Sequence, residues 1–294
     1  MKDRENRAFL TVAHVVLILA TVSCVVLFIL LFVTSFTDEM YLLQNGYSFF
    51  PKEWSVEAYQ YLGRNIRTIE RAYGITALVT AVGISSSLIM TSMLGYALSR
   101  SDLPGVKGLT FAVVLTLLFN GGLVPTYIMY TTYFKMKNTL WALIIPRLLV
   151  SGFNVLLMRN YFRTSIPLAL IESARIDGAN EFKAFFSIVL PLSLPIMATV
   201  GLIGGLGYWN DWFNGLIYVT NPKLYSLQAL LNQILLSVQY LAYMDTSSVM
   251  VTTTLPTTSV RMAIAVIGVV PILIIYPFCQ KYFVKGITIG AVKG

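Results

Sequence analysis

The amino-acid sequence predicts an all-α membrane protein with about six transmembrane helices. Composition comes first: of 294 residues, 56% are hydrophobic and only 12% charged, too few charges to clothe a soluble domain of this size. Mean hydropathy is +0.73, and apolar runs repeatedly reach the length that crosses hydrocarbon about 30 Å thick. These runs lack the short alternating segments of an outer-membrane barrel. Backbone groups in lipid must bond within their own segment, so the spans are helices.

The first span, 9–36, follows Lys2, Arg4 and Arg7. It is too long for the apolar part of a secretory signal and no small-residue cleavage pattern follows, so a retained anchor with a cytosolic start is expected. Residues 37–72 form an external loop whose Pro51, Trp54 and Tyr59 suit a partly ordered cap at the interface. Segment 1–72 is thus an anchor with its loop, and 73–294 the main membrane domain. The second span, 73–98, meets the third, 109–133, through a polar turn at 99–105 that forces antiparallel neighbours.

Inside the third span lies Asn120-Gly121-Gly122-Leu123-Val124-Pro125. Gly costs about 1 kcal/mol and Pro about 3 kcal/mol relative to Ala inside a helix, so a break is expected there. An ordinary proline kink and a stretch facing a watery cavity both satisfy the freed carbonyls. The fourth span, 140–158, carries Arg147 just after Pro146, placed either to snorkel outward or to face a cavity. The fifth, 192–212, contains Gly201 and Gly205 at the spacing that lets two helix backbones approach closely, against a neighbour in this chain or in another. In the last span, 260–283, Arg261 is expected to anchor the outer end.

Positive charge agrees with this threading. Arg100, Lys107, Arg159, Arg163, Arg175, Lys183, Lys281, Lys285 and Lys293 join the N-terminal cations on the cytosolic side, which puts both termini there. The net charge of +8 then reflects topology and anionic lipid, and the absence of a basic stripe with interleaved aromatics speaks against nucleic acid. Cys24 and Cys279 fall in apolar spans and imply no disulfide. No His-Glu-x-x-His metal pair, nucleophile elbow or P-loop is present, so neither intramembrane hydrolysis nor ATP hydrolysis by this chain is expected. An ion-coupled carrier would need inverted repeats and midplane acids, and neither is evident.

Between the fourth and fifth spans, a charged stretch faces the cytosol: Ile171-Glu172-Ser173-Ala174-Arg175-Ile176-Asp177-Gly178, running on to Ile188-Val189-Leu190-Pro191. Ser165 before Pro167 is expected to cap a short helix through Asp177. Gly178 suits a helix end of positive φ, and Asn180 can cap the next helix at Glu181. The product is a helix-turn-helix knuckle. Alone, it also fits an amphipathic connector held on lipid by Arg175 and Lys183.

Glu172, Ala174, Gly178, Ile188, Leu190 and Pro191 stand at the spacing of the EAA loop, so 165–191 resembles the segment by which permeases of ABC importers engage their ATPases. Ser173 departs from the usual small apolar residue there but is still small. The run Gly95-Tyr96-Ala97-Leu98-Ser99-Arg100, the segment Gly121 to Tyr127, Trp209-Asn210-Asp211-Trp212 and the ending Gly286 to Gly294 resemble the carbohydrate branch of these permeases. Within that branch the likeness is to the MalG-like, complex oligosaccharide or polysaccharide subgroup.

That resemblance implies a type I importer permease fold with a cytosolic coupling helix, in a prokaryotic inner or only cell membrane. It implies a second permease chain, a cytosolic ATPase dimer that holds ATP and Mg, and an extracytoplasmic solute-binding protein delivering an oligosaccharide; this chain holds no cofactor or metal of its own. Glu172, Ser173, Ala174, Asp177, Gly178, Ile188, Leu190 and Pro191 become the ATPase-docking residues. A charge-assisted hydrogen bond from Glu172 to a partner cation would contribute roughly 1.5 to 3 kcal/mol. Asn120, Gly121, Tyr127, Asn154, Trp209, Asn210 and Asp211 are the candidates for the substrate pathway, with Asp211 able either to bond sugar hydroxyls beside a stacking Trp or to cap the fifth span. The hydroxyl-rich stretch from Asp245 to Ser259 fits a solvated outer loop or a contact with the binding protein. A permease for a non-sugar solute shares the docking logic and is the nearest alternative.

Overall fold

The computed structural model describes residues 2–64, 66–146, 148–245 and 257–291. Arg147, the hydroxyl-rich residues 246–256 and the final 292–294, for all of which roles were expected above, lie outside the described residues. Among those described, regular structure is helical, with one isolated antiparallel bridge between Thr37 and Trp54. The chain divides into two units, Met1–Arg67 with Gln233–Ile272, and Thr68–Asn232 with Leu273–Gly294.

The first unit begins with helix α1 (Lys2–Ser35), whose stretch Phe9–Ser35 is 27 residues long. At 1.5 Å per residue that is about 40 Å, more than the hydrocarbon thickness. Its apolar side chains point away from the rest of the chain, as suits a helix solvated by lipid. The loop after α1 carries short helices of its own. Asp38 Oδ1 accepts from the backbone N–H groups of Met40 (2.9 Å) and Tyr41 (3.1 Å) and so starts α2 (Glu39–Asn45). Tyr59 of α3 (Glu57–Gly63) stacks on Phe36 with centroids 4.6 Å apart and bonds Ser35 Oγ at 2.8 Å.

In the second unit, α4 (Ile66–Ser99) is a continuous span. Beyond it, α5 (Val106–Leu118) and α6 (Leu123–Ile128), which widens into a π turn at Met129–Tyr133, are bent by 114° across the expected break. Asn120 Oδ1 accepts from Gly122 N at 2.9 Å and Gly122 takes φ +86°, so the polar residues of the break satisfy one another. The short α7 (Trp141–Ile144) follows, then α8 (Gly152–Ser165) and α9 (Leu168–Ile176). Next come α10 (Glu181–Ala184), a π turn at Phe185–Val189, and α11 (Leu190–Leu192). An 81° bend separates this group from α12 (Leu194–Trp209), after which α13 (Phe213–Tyr218) completes the part lying wholly in this unit. Helices α14 (Leu227–Asp245) and α15 (Thr257–Ala291) run from one unit into the other.

Three expectations are corrected. The fourth span is not continuous over 140–158: α7 stops before Pro146, whose carbonyl accepts from Asn214 Nδ2 at 3.0 Å and Leu148 N at 2.9 Å, and α8 starts only at Gly152. Proline lacks the N–H a helix needs, and here the freed backbone is stapled in place. Ser165 does not cap α9; it ends α8, because Pro167 holds Ile166 extended (φ −110°, ψ 110°) and itself occupies the capping position. Helix α14 lies where no helix was expected. By length and apolarity, Phe9–Ser35 and Ile66–Ser99 qualify outright as spans and the two bent pairs bring the number to four among the described residues.

The close-packing glycines find their neighbour within the chain. A Cβ at Gly205 would stand 2.9 Å from Ile84 Cδ1, and one at Gly201 would stand 3.4 Å from Leu88, so this face of α12 lies against α4. Tyr208 of α12 lies over Gly83 of α4, and its hydroxyl donates to the Ile144 carbonyl at 3.0 Å. Below it a core of Tyr96, Met158, Phe162, Ile166, Ile171, Phe185, Val189, Ile196 and Val200 ties α4, α8, α9 and α12 together.

Candidate functional site

The knuckle is built as its residues suggest. Helix α9 turns Ile171 and Ala174 inward onto the core and leaves Glu172, Ser173, Ile176 and Asp177 exposed. It ends in a complete Schellman motif: Gly178 N donates to the Arg175 carbonyl (3.0 Å) and Ala179 N to the Ala174 carbonyl (2.9 Å). Gly178 supplies the left-handed φ of +81° that this motif requires. Asn180 then starts α10, its Oδ1 accepting from Lys183 N at 2.8 Å.

The docking residues named from the sequence separate into a tip and a root. Glu172, Ser173, Asp177 and Gly178 form the exposed tip, with Ala174 buried beneath it. Ile188 and Leu190 are half-buried in the root, Leu190 against the core, and Pro191 is exposed at the start of the bend. Two large apolar side chains that sequence reasoning did not single out stand beside the tip, Ile176 at 86% exposure and Phe182 at 64%. On a charged loop outside the spans, such exposure marks a surface made to be covered.

Beneath the tip lies an ion-pair cluster that sequence reasoning missed. Arg100 follows the last residue of α4 and its side chain is 3% exposed. Its Nε and Nη2 bond Asp102 Oδ1 (2.9 Å) and Oδ2 (2.6 Å), a bidentate fork, and its Nη1 donates to Glu181 Oε2 (3.1 Å) and to the Tyr96 hydroxyl (3.0 Å). That hydroxyl in turn donates to Glu181 Oε2 at 3.0 Å. From α9, Arg175 Nε donates to Glu181 Oε1 at 2.7 Å, Nη2 touches the same oxygen, and Nη1 lies 3.5 Å from Asp102 Oδ2. The hydrogen bonds from Arg100 hold the Asp102 carboxyl well below its ordinary range, at about 2, and the same fork raises the guanidinium. Arg159 of α8 adds a bond from Nε to the Leu98 carbonyl (3.0 Å), satisfying the end of α4.

The pathway candidates are dispersed. Asn120 and Gly121 are exposed in the break between α5 and α6. Tyr127 stacks on Tyr218, with centroids 6.0 Å apart and planes 12° from parallel, and Tyr130 meets the same ring edge-on. Asn154 is 7% exposed, and its Oδ1 has no hydrogen-bond partner among the described residues. Trp209 lies 6.4 Å from Tyr73. Asn210 ends α12, its Nδ2 returning to the Leu206 carbonyl at 3.0 Å, and Asp211 Oδ1 accepts from Asn214 N at 3.2 Å at the start of α13, so both act as helix-end residues. Asn214, which sequence reasoning passed over, is 1% exposed, and its own Oδ1 has no hydrogen-bond partner among the described residues. A buried Asn flanked by Gly in an apolar run was the signal available for it.

The site is thus a capped, exposed knuckle on an ion-paired footing in a protein of bent apolar helices. The chain belongs to the family described as "Binding-protein-dependent transport system inner membrane component", whose model matches residues 5–289. It is 35% identical over 290 residues to the polygalacturonan/rhamnogalacturonan transport system permease protein YtcP of Bacillus subtilis, covering 99% of this chain and 100% of the relative. Identity to Protein LplC of the same organism is 35% over 267 residues, covering 91% of this chain and 88% of the relative. Among solved structures, a bacterial ABC transporter involved in import of the acidic polysaccharide alginate matches with a TM-score of 0.77 and 27% identity, over 95% of this chain and 98% of that one. The chain is therefore a multi-pass membrane subunit of a transport system and not itself an enzyme.

Proposed function

We propose that this chain forms half of the translocation pathway of an ATP-driven, binding-protein-dependent importer of oligosaccharides or polysaccharide fragments. Its partners are a second permease chain, a cytosolic ATPase dimer carrying ATP and Mg, an extracytoplasmic solute-binding protein and membrane lipid. Both termini lie in the cytosol of a prokaryote. The observation that carries the docking role is the α9 knuckle: Glu172, Ile176 and Phe182 exposed together on a loop whose turn is locked by Gly178. A connector floating on lipid needs neither that rigid cap nor a buried ion-pair footing. For the sugar class, the support is the company the sequence keeps: its relatives include permeases named for arabinooligosaccharides and galactooligosaccharides as well as for polygalacturonan/rhamnogalacturonan.

Tyr127 lines the pathway in this reading, stacked on the buried Tyr218, with the amides of Asn154 and Asn214 set behind the wall, since aromatic faces suit sugar rings. Trp209, Asn210 and Asp211 shape its outer end, and the break at Asn120 and Gly121 faces protein or water because its backbone is irregular.

Affinity purification of the chain from gently solubilised native membranes, with mass spectrometry of what accompanies it, tests the assembly. An ATPase, a second permease and a sugar-binding lipoprotein are expected. Glu172→Lys should abolish uptake of the oligosaccharide that the recovered binding protein binds, while leaving membrane insertion intact; undiminished uptake would remove Glu172 from the dock.

A further inference from the structure

We propose that Arg100 is a positioning residue that makes the docking loop and the long helix α4 move as one body, so that displacement of α9 by the ATPase reaches the pathway through side chains as well as through the backbone. The inference rests on the reading of the knuckle as the ATPase dock. Three segments meet at one guanidinium: the end of α4 through Arg100 itself, the α4–α5 turn through Asp102, and the docking loop through Glu181. Arg175 closes the circuit from α9, touching both acids. Each element thus reaches the others through at least two charged contacts, and no single contact has to carry the load.

The choice of residue fits this task. A planar fork can hold Asp102 bidentately and still present Nη1 to Glu181 and to Tyr96, which a point-charge ammonium cannot do. Burying a guanidinium to 3% exposure is costly, and its two acids remain at 44% and 45%, so the arrangement is a poor way to gain stability alone. It is a good way to fix geometry. The Arg100 carbon also lies 5.8 Å from the Tyr96 ring centroid, and Tyr96 packs on Phe162 and Phe185, which seats the cluster on the core shared by α8, α9 and α12.

From the cluster, motion has a continuous packed route. Helix α4 carries Leu88 and Ile84 against Gly201 and Gly205 of α12, and Gly83 beneath Tyr208, one residue before Trp209. Close-packed helices with no room for a Cβ between them transmit displacement without first compressing.

The test uses the whole transporter, purified with its partner subunits, carrying spin labels at Met93 on α4 and Leu168 on α9, and reads their distance distribution with and without MgATP and vanadate. In the otherwise native protein the distribution should stay narrow and unshifted when nucleotide closes the ATPases. With Arg100→Gln it should broaden or shift when nucleotide is added, and Arg100→Lys should fall between. Asp102→Asn, at a half-exposed site that tolerates substitution, should show the same change more weakly and carries the test should Arg100→Gln not assemble. A distance that changes with nucleotide before any substitution, or stays fixed in these variants, would overturn the proposal. So would broadening of equal size without nucleotide, the mark of a merely structural role. A complex purified without any ATPase would overturn the docking reading and this inference together, whereas an ATPase present with a fixed distance in Arg100→Gln sinks the inference alone.

Discussion

Glu39 and Glu181 both join segments that are distant in the chain, yet they do so in different surroundings, one buried and one near solvent. Glu39, in the first unit, is 5% exposed and accepts at both oxygens from the start of α15: Thr258 N (2.8 Å), Ser259 N (2.9 Å) and Ser259 Oγ (2.8 Å). It is a helix cap supplied from 219 residues away. Glu181, in the second unit, is about half exposed and meets two guanidiniums and a phenol. A carboxylate that accepts from buried backbone N–H groups cannot trade them for water, so the Glu39 joint is permanent while the protein is folded. Charged side chains near solvent are each worth little alone, so the Glu181 joint holds by the number of its contacts and not by burial. The difference separates an anchor from a working linkage.

Glu39→Ala gives the largest expected effect. Removing the carboxylate strands three donors in a buried place and should destabilise the chain by about 3 kcal/mol, read as a lowered melting temperature in detergent. Glu39→Gln should recover part of the loss. Equal melting of Glu39→Ala and the native chain would mean that the cap is not made in the folded protein.

Gly178→Val comes next. It forces a β-branched residue into φ +81°, which costs about 1 to 2 kcal/mol at the tip of the working linkage. Uptake should fall well beyond any change in melting temperature; an unaffected uptake would show that the turn adopts another conformation.

The pH response is smaller and tests the ion-pair footing alone. The folded Asp102 carboxyl titrates at about 2, below its ordinary 3.8, so its contribution is complete above 3.8 and is lost as pH falls through about 2. Between roughly pH 5 and pH 8 the ion-pair footing should therefore not respond, and co-purification of the ATPase should be flat across that range. A step there would point to a titrating group outside the cluster.

Arg175→Gln is the mildest change. Arg175 is 40% exposed, and an exposed pair is worth about 1 kcal/mol or less, so melting should hardly move. The native chain should show the same insensitivity to added salt, because Arg100, not Arg175, is the buried member. A large loss of stability in Arg175→Gln would make the footing a structural anchor after all and erase the contrast with Glu39.

Local chemistry made much of the knuckle readable. Gly178 and Asn180 announce a helix end and a helix start because each acts on backbone groups within a few residues of itself, and both do so in the structure. The break at 119–122 was readable for the same reason, as was the close-packing face at Gly201 and Gly205. Ser165 failed as a cap because two local rules competed there, and the restriction that Pro167 places on Ile166 prevailed over the capping preference of Ser. Helix α14 escaped because its apolar stretch, Leu227–Ser237, is shorter than a span and its start is fixed by a distant group, Thr76 Oγ1, which accepts from Leu227 N at 2.7 Å.

The sequence by itself determined the solvent of this protein, its helical class, the break at 119–122 and the conformation of the turn at Gly178. All of these depend on hydropathy and on backbone chemistry acting over one or two helical turns. Tertiary structure alone decided which helix the Gly201–Gly205 face meets, that Asn214 staples Pro146, and that Arg100 reaches Glu181 across 81 residues. Those pairings depend on the crossing of helices in space, and a charge or an amide carries no mark in the sequence of the partner that folding will bring to it.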